Sequence, residues 1–531
     1  MQSPLELLRT RFHPFLPPCL LDITSYTLHE DSHKIPFKKE LLPLFPFGST
    51  LSLMRGAKGS LPSLRPMKIG VVFSGGQAPG GHNVIAGLFD ALQTLSAENE
   101  LIGFLEGPAG ILKGKSRIIS KEEMEKFLNT GGFDLLGSGR TKIETIEQFE
   151  QAKVTCQKLS LDALVIIGGD DSNTNAALLT EYFHQEKCAT CVIGIPKTID
   201  GDLKNEYVPI SFGFDTASKV YAELIGNLAR DALSAKKYYH FVRLMGRTAS
   251  HIALECALLT HPNYAFIAEE VAAKKMTLQQ VVSELCTLIL ERSAIGKSYG
   301  VILIPEGLIE WIPEMSRLIQ ELNILLAQKD LSEDEAIQKL SQESSACFSL
   351  LPSSIQKQLL LTRDSHGNVQ VSLIETERLL AELVSIEMQK HKQVAFHPLT
   401  HFFGYEGRAA FPSNFDASYC YTLGYVAAIG AIHKLSGYMC FVSNLHEPIA
   451  NWSIGAVPFA SLMHTEIRKG KEKPVLAKAL VSLEGKAFKS FVKQRDAWKK
   501  EDHYTFPGPM QFEGDVSVCY APPLSLQLEN S

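Results

Sequence analysis

The chain has 531 residues, 45% hydrophobic and 21% charged, with a formal net charge of −6. That balance excludes a disordered or fibrous chain and leaves no overall basic field to draw it to nucleic acid or an anionic membrane. At roughly 150 residues per domain, the length implies three or four domain-sized pieces, with a core large enough to need no disulfides. Ten cysteines are scattered from Cys19 to Cys519, and the one close pair, Cys188 and Cys191, lacks the two further ligands of a zinc site. It reads as small residues leading into a strand. Free thiols suit a reducing cytoplasm, which is the expected location. No apolar run reaches the roughly 18–20 residues of a membrane span. Met1 to Leu21 lacks the basic-then-apolar order of a signal peptide.

Residues 1–66 form an expected N-terminal extension. Pro14, Pro17, Pro18, Pro36, Pro43, Pro46, Pro62 and Pro66 predict short pieces laid over a body. From Lys68 the character changes. Lys68-Ile-Gly-Val-Val-Phe73 is an apolar run fit for a buried parallel strand, followed by a glycine-rich turn and a helix from Val84 to Leu95. The pattern repeats at Leu161–Ile167, with its helix expected from about Thr174, and at Cys191–Ile195, Tyr239–Leu244 and Gly300–Ile304. Strands alternating with helices predict an α/β protein with parallel sheets, whose ligands bind at the C-terminal ends of the strands.

Between 308 and 400 the strand pattern stops. Met315, Leu318, Ile319, Leu322, Leu325 and Leu326 fall at helical spacing, and Ser332-Glu-Asp-Glu335 has the form of a capping box. This predicts a helical insert whose apolar stripe is core. The C-terminal tail, 466–531, begins with a Lys- and Glu-rich stretch to Lys500 that reads as a solvated amphipathic helix.

The polar clusters after the strands carry the chemistry. Gly75-Gly76 let backbone N–H groups approach an oxyanion at a helix N-terminus. Gly168-Gly-Asp-Asp171 offers Asp170 to Mg²⁺ beside phosphate oxygens. Asp171 is a second carboxylate that a polyphosphate site tolerates only beside a cation. Pro196-Lys-Thr-Ile-Asp-Gly-Asp202 supplies that cation in Lys197, a proton acceptor in Asp200 and hydrogen-bonding capacity in Thr198. Met245-Gly-Arg247, Pro305-Glu-Gly307 and Gly404-Tyr-Glu-Gly-Arg408 offer Arg247, Glu306 and Arg408 to an anionic sugar. Lys237 and Tyr238 precede a strand. Singly, each of these is a common loop feature.

Taken in order, these motifs make the chain similar to the phosphofructokinases, and more narrowly to their long pyrophosphate-dependent type. They span about residues 68–425, roughly two-thirds of the chain. The resemblance implies two Rossmann-like parallel-sheet domains facing each other across a cleft. A donor-phosphate and Mg²⁺ domain is expected at 67–211, completed by part of 409–465. A sugar-phosphate domain is expected at 212–307 with 401–408. It implies reversible, Mg²⁺-dependent phosphoryl transfer from pyrophosphate to the 1-hydroxyl of fructose 6-phosphate, a step of glycolysis. It places Gly75, Gly76 and Arg140 at the donor phosphates, Asp170 at the metal and Asp200 as catalytic base. Asp171 and Lys197 act beside it in catalysis and donor choice. It places Thr198, Ile199, Asp200, Met245, Gly246, Arg247, Glu306, Tyr405, Glu406, Gly407 and Arg408 at the sugar phosphate. Lys237 and Tyr238 match a position that reaches across from a neighbouring subunit, implying a homodimer with shared sites.

Donor choice rests on two positions. ATP-using relatives carry Gly where Asp171 and Lys197 stand. Like charges about 4 Å apart cost on the order of 4 kcal/mol at an effective dielectric near 20, so Asp171 opposes an ATP α-phosphate. The alternatives are an ATP-dependent 6-phosphofructokinase and a noncatalytic regulatory subunit of a heteromeric enzyme. The second is expected to lack Asp170, Asp200 or Asp202, and all three are present.

Overall fold

The computed structural model describes residues 3–32, 35–62, 65–327, 332–361, 369–468 and 471–531. The chain divides into two compact units. The first comprises Met1–Ala217, Glu406–Ala479 and Gln511–Pro522, and the second comprises Ser218–Tyr405, Leu480–Met510 and Pro523–Ser531.

The first unit is built on a nine-stranded sheet. Its middle is parallel: Tyr438–Ser443, Cys191–Pro196, Ala163–Gly168, Lys68–Ser74 and Glu100–Phe104 lie side by side in that order. These runs are rich in Val and Ile and almost wholly buried, as strands covered on both faces must be. Antiparallel strands close both edges, Ser116–Ile118 on one side and Ser453–Pro458, Met54–Lys58 and Tyr26–Glu30 on the other. The expected extension therefore differs from a set of pieces laid over a body: two of its segments are strands of the sheet. Each is five residues long, and the prolines of the extension lie outside them, where they do not interrupt pairing at the edge.

Helices Gly81–Leu95 and Asn414–Ile432 cross at close range. A Cβ on Gly87 would lie 2.1 Å from the Tyr421 carbonyl oxygen, and one on Gly424 would lie 2.3 Å from that of Val84. Glycine at these two positions is what lets the backbones touch. The later helix is further tied by Asp416, whose buried carboxylate accepts hydrogen bonds from the backbone N–H groups of Gly213 and Thr216.

The second unit holds a four-stranded, all-parallel sheet in the order Pro398–Phe403, Tyr239–Leu244, Gly300–Pro305, Tyr264–Ala265. The predicted helical stretch is present as helices Pro313–Leu326, Glu333–Gln338, Gln342–Leu350, Ser353–Leu361 and Thr376–Met388; residues 328–331 and 362–368 of it lie outside the described residues. Ser332 and Glu335 form the capping box. Met315, Leu318, Ile319 and Leu322 are buried in one hydrophobic core with sheet residues Tyr239, Phe241, Ile302 and Ile304. The stretch is thus part of the second unit's own core, because its apolar stripe faces the sheet layer.

The tail also departs from expectation. Glu466 lies in the antiparallel pair Met463–Arg468 and Lys471–Leu476, and the helix starts only at Lys486. The antiparallel pairing, with Met463 opposite Leu476 and Arg468 opposite Lys471, decides the conformation before Leu476. The helix Lys486–Lys500 is amphipathic, with Phe488, Phe491 and Trp498 buried.

Candidate active site

In the first unit three adjacent parallel strands end level with one another. Ser74 pairs with Gly168, and Gly168 with Pro196. The residues that follow, Gly75-Gly76, Gly169-Asp170 and Lys197, therefore emerge together at one end of the sheet. Gly75 has φ +87°, a conformation that L side chains rarely adopt. Its N–H donates to the Gly139 carbonyl, 2.9 Å away, which draws the loop carrying Arg140 alongside. A Cβ on Gly76 would lie 3.4 Å from an Arg408 guanidinium nitrogen and 3.8 Å from one of Arg140. Two guanidinium groups thus flank the bare backbone of Gly76, an arrangement suited to phosphate oxygens.

Lys197 is 5% exposed and its ammonium donates to the Gly76 carbonyl at 2.7 Å. Burial pushes its pKa down to about 8, opposed by the charges of Asp200 and Asp170 and assisted by those of Arg408 and Arg140. Just beyond it, the Asp200 N–H donates to the Thr198 hydroxyl at 3.1 Å, and the Ser211 hydroxyl donates to the Thr198 carbonyl. Ile199 is buried between them, and Gly201 turns the loop with φ +72°.

Asp170 and Asp171 form the first turn of a helix that begins at Asp170, four residues earlier than Thr174. Carboxylates there are favoured by the partial positive charge of the helix N-terminus, which propensity alone does not reveal. Asp171 is exposed and pairs with Lys142 at 3.4 Å. Its compensating cation is thus Lys142 and not Lys197, because the Asp171 side chain points outward while Lys197 is buried.

Asp170 and Asp202 both contact the ammonium of Lys478, at 3.0 and 3.6 Å. Neither lysine was legible as a site residue: Lys142 and Lys478 belong to no glycine-rich motif, and only the chain path brings them in. Among the described residues no three His, Cys, Asp or Glu side chains gather as a self-sufficient metal cage. A pair of carboxylates nonetheless fits Mg²⁺, which binds through one or two carboxylates with water and substrate phosphate completing its shell.

The second unit repeats the arrangement. Leu244 pairs with Pro305 on one side and Phe403 on the other, so Met245, Glu306 and Gly404 each follow the end of one of three neighbouring strands. The Glu306 carboxylate, 2% exposed, accepts the Gly246 N–H at 3.1 Å. A Cβ on Gly307 would lie 1.9 Å from the Arg247 carbonyl oxygen, so glycine is required for these two loops to meet. The Arg247 and Tyr405 side chains are exposed. The unit boundary falls after Tyr405, so Glu406, Gly407 and Arg408 belong with the first unit, not with a sugar domain ending at 408. Lys237 and Tyr238 sit at the opposite end of the strand Tyr239–Leu244 from Met245, about 25 Å away at some 3.3 Å per residue. They do not join their own chain's cluster.

Behind Glu306 lies a buried ion pair. Arg243 contacts Glu377 at 2.6 Å, with side chains 5% and 6% exposed; it also donates to the Ser372 carbonyl and stacks its guanidinium over Phe402. Burial raises the pKa of Glu377 although Arg243 opposes the shift. Glu377→Ala should destabilise the protein by about 3–5 kcal/mol, because a buried guanidinium loses its counter-charge. An unfolding free energy from urea titration within about 1 kcal/mol of wild type would show that solvent or Glu306 compensates.

The family model described as phosphofructokinase matches residues 68–429. The chain belongs to the phosphofructokinase family. Among curated relatives, a pyrophosphate–fructose 6-phosphate 1-phosphotransferase of Treponema pallidum is 53% identical over 88% of this chain and 84% of its own length. One of the same name from Porphyromonas gingivalis is 46% identical over 100% of this chain and 99% of its own. The solved pyrophosphate-dependent phosphofructokinase of Nitrosospira multiformis gives a TM-score of 0.55 at 15% identity, covering 86% of this chain and 97% of that one. This last likeness is one of fold, and it agrees with the α/β architecture expected for a phosphofructokinase. Among the described residues no helix is long and apolar enough to cross a membrane.

Proposed function

We propose that this phosphofructokinase is a Mg²⁺-dependent enzyme that transfers a phosphoryl group from pyrophosphate to the 1-hydroxyl of fructose 6-phosphate, reversibly. The observation that carries the reading is the buried Lys197 ammonium beside Gly76, in a site flanked by Arg140 and Arg408. A fixed cation at that depth suits a small, highly charged donor whose leaving group is orthophosphate. The relatives' names support the same donor and acceptor.

In this reading Asp200 accepts the proton of the sugar hydroxyl as its oxygen bonds to the distal phosphorus. The bridging P–O bond breaks, and the electron pair leaves with orthophosphate, whose charge Lys197 offsets. Thr198 holds the Asp200 loop in shape through its hydroxyl, and Arg140 and Arg408 orient the phosphates. Arg408 serves the donor side, given its place against Gly76. Mg²⁺, held by Asp170 with Asp202 nearby, would add charge neutralisation on the phosphate oxygens. Met245, Gly246, Arg247, Glu306 and Tyr405 take the sugar phosphate, with Glu306 accepting sugar hydroxyls. Lys237 and Tyr238 are assigned to a neighbouring copy's site, which their distance from Met245 supports; the homodimer and the cytoplasmic location belong to the same proposal.

Asp171 is assigned to donor discrimination. Its pairing with Lys142 softens the repulsion of an α-phosphate but leaves its side chain in place. The test is turnover of the purified chain with Mg²⁺, fructose 6-phosphate and either pyrophosphate or ATP. Wild type should use pyrophosphate, and Asp171→Gly should lower that activity and shift the donor ratio toward ATP. Arg408→Ala should raise KM for pyrophosphate more than for the sugar. Preference for ATP in wild type would remove the donor assignment. Inactivity of the chain alone, restored by a second related subunit, would revive the heteromeric alternative.

A further inference from the structure

The contact of Lys478 with both Asp170 and Asp202 calls for an explanation. Two neighbouring carboxylates repel each other unless a positive charge stands between them, and here one ammonium lies 3.0 Å from the first and 3.6 Å from the second. Its position is held from both sides. Two residues before it, the Leu476 N–H donates to the hydroxyl of Thr174 on the helix that starts at Asp170. One residue after it, the Ala479 N–H donates to the Asp202 carbonyl at 2.7 Å. The backbone around Lys478 is therefore pinned to the two elements that carry the carboxylates, while the side chain itself is 24% exposed.

We propose that Lys478 is a resident stand-in for the divalent cation: its ammonium bridges Asp170 and Asp202 in the donor-free enzyme, and the cation enters by displacing it. The inference rests on the reading of Asp170 as a cation ligand. It assigns Lys478 a positioning role, keeping the carboxylates together and screened between turnovers, at the expense of affinity for free metal. Because an ammonium competes through charge, a neutral side chain of similar length should release the site, and another cationic one should not.

The experiment is a titration of the full-length protein with Mn²⁺, without pyrophosphate or sugar, following the bound ion by electron paramagnetic resonance. Lys478→Met should bind Mn²⁺ on the order of tenfold more tightly than wild type, because a competing positive charge has gone. Lys478→Arg should stay near wild type, and its correct folding would serve as the control if the methionine variant failed to fold. Lys478→Met binding no tighter than wild type would overturn the inference, as would equal tightening in both variants. If the arginine variant alone folded, Mn²⁺ binding tighter than wild type would overturn it, and unchanged binding would support it. Asp170→Asn separates this from the underlying reading. If it abolishes Mn²⁺ binding while Lys478→Met changes nothing, only the role of Lys478 fails; if it leaves binding intact, the cation assignment itself fails.

Discussion

Replacing Asp200 with asparagine should lower turnover by about 10²–10⁴-fold while leaving fructose 6-phosphate binding much less affected, the pattern of a lost general base. Asparagine keeps the shape of the side chain and leaves the Asp200 N–H free to donate to Thr198, so the loop should hold its course. What is removed, in the proposed mechanism, is the acceptor for the hydroxyl proton. The measurement is kcat and KM for fructose 6-phosphate at saturating Mg²⁺ and pyrophosphate. Near-normal turnover would mean that another group takes the proton, and Asp202, buried two residues on, would be next to examine.

The second large effect is expected at Lys197. Lys197→Met should cut turnover with pyrophosphate by roughly 10²–10³-fold, the range for removing one preorganised charge from the developing leaving group. Its pH behaviour gives a sharper test. Burial holds the folded-state pKa at about 8, below the ordinary value of 10.5. The free enzyme therefore loses the ammonium as pH rises through about 8, and kcat/KM should decline above that point. Lys197→Arg keeps the charge and should flatten that limb, whatever its effect on the maximum. The stability consequence has the opposite sign. Between about 8 and 10.5 the unfolded chain binds the proton that the folded chain has released, so this group's contribution to stability increases with pH across that window. An alkaline limb unchanged by Lys197→Arg would assign the titration to another group or to substrate.

The sequence by itself determined five of the parallel strands, the loops that follow them and most of the candidate chemistry. These are local matters. Apolar runs such as Cys191–Pro196 can only be buried, and a Gly-Gly step can bend where Gly75 does. A carboxylate or lysine placed just after a strand end must emerge with its neighbours once the strands lie parallel. Even the core stripe of Pro313–Leu326 follows from periodicity. The tertiary structure decided what depends on distant chain paths meeting. It brought Tyr26–Glu30 and Met54–Lys58 into the sheet edge, since strand pairing is set by hydrogen bonds to a partner far along the chain. It placed Arg408 against Gly76, paired Asp171 with Lys142 and laid Lys478 between Asp170 and Asp202. Ion pairs form through space over a few ångströms, and no spacing along the chain encodes which lysine arrives at which carboxylate.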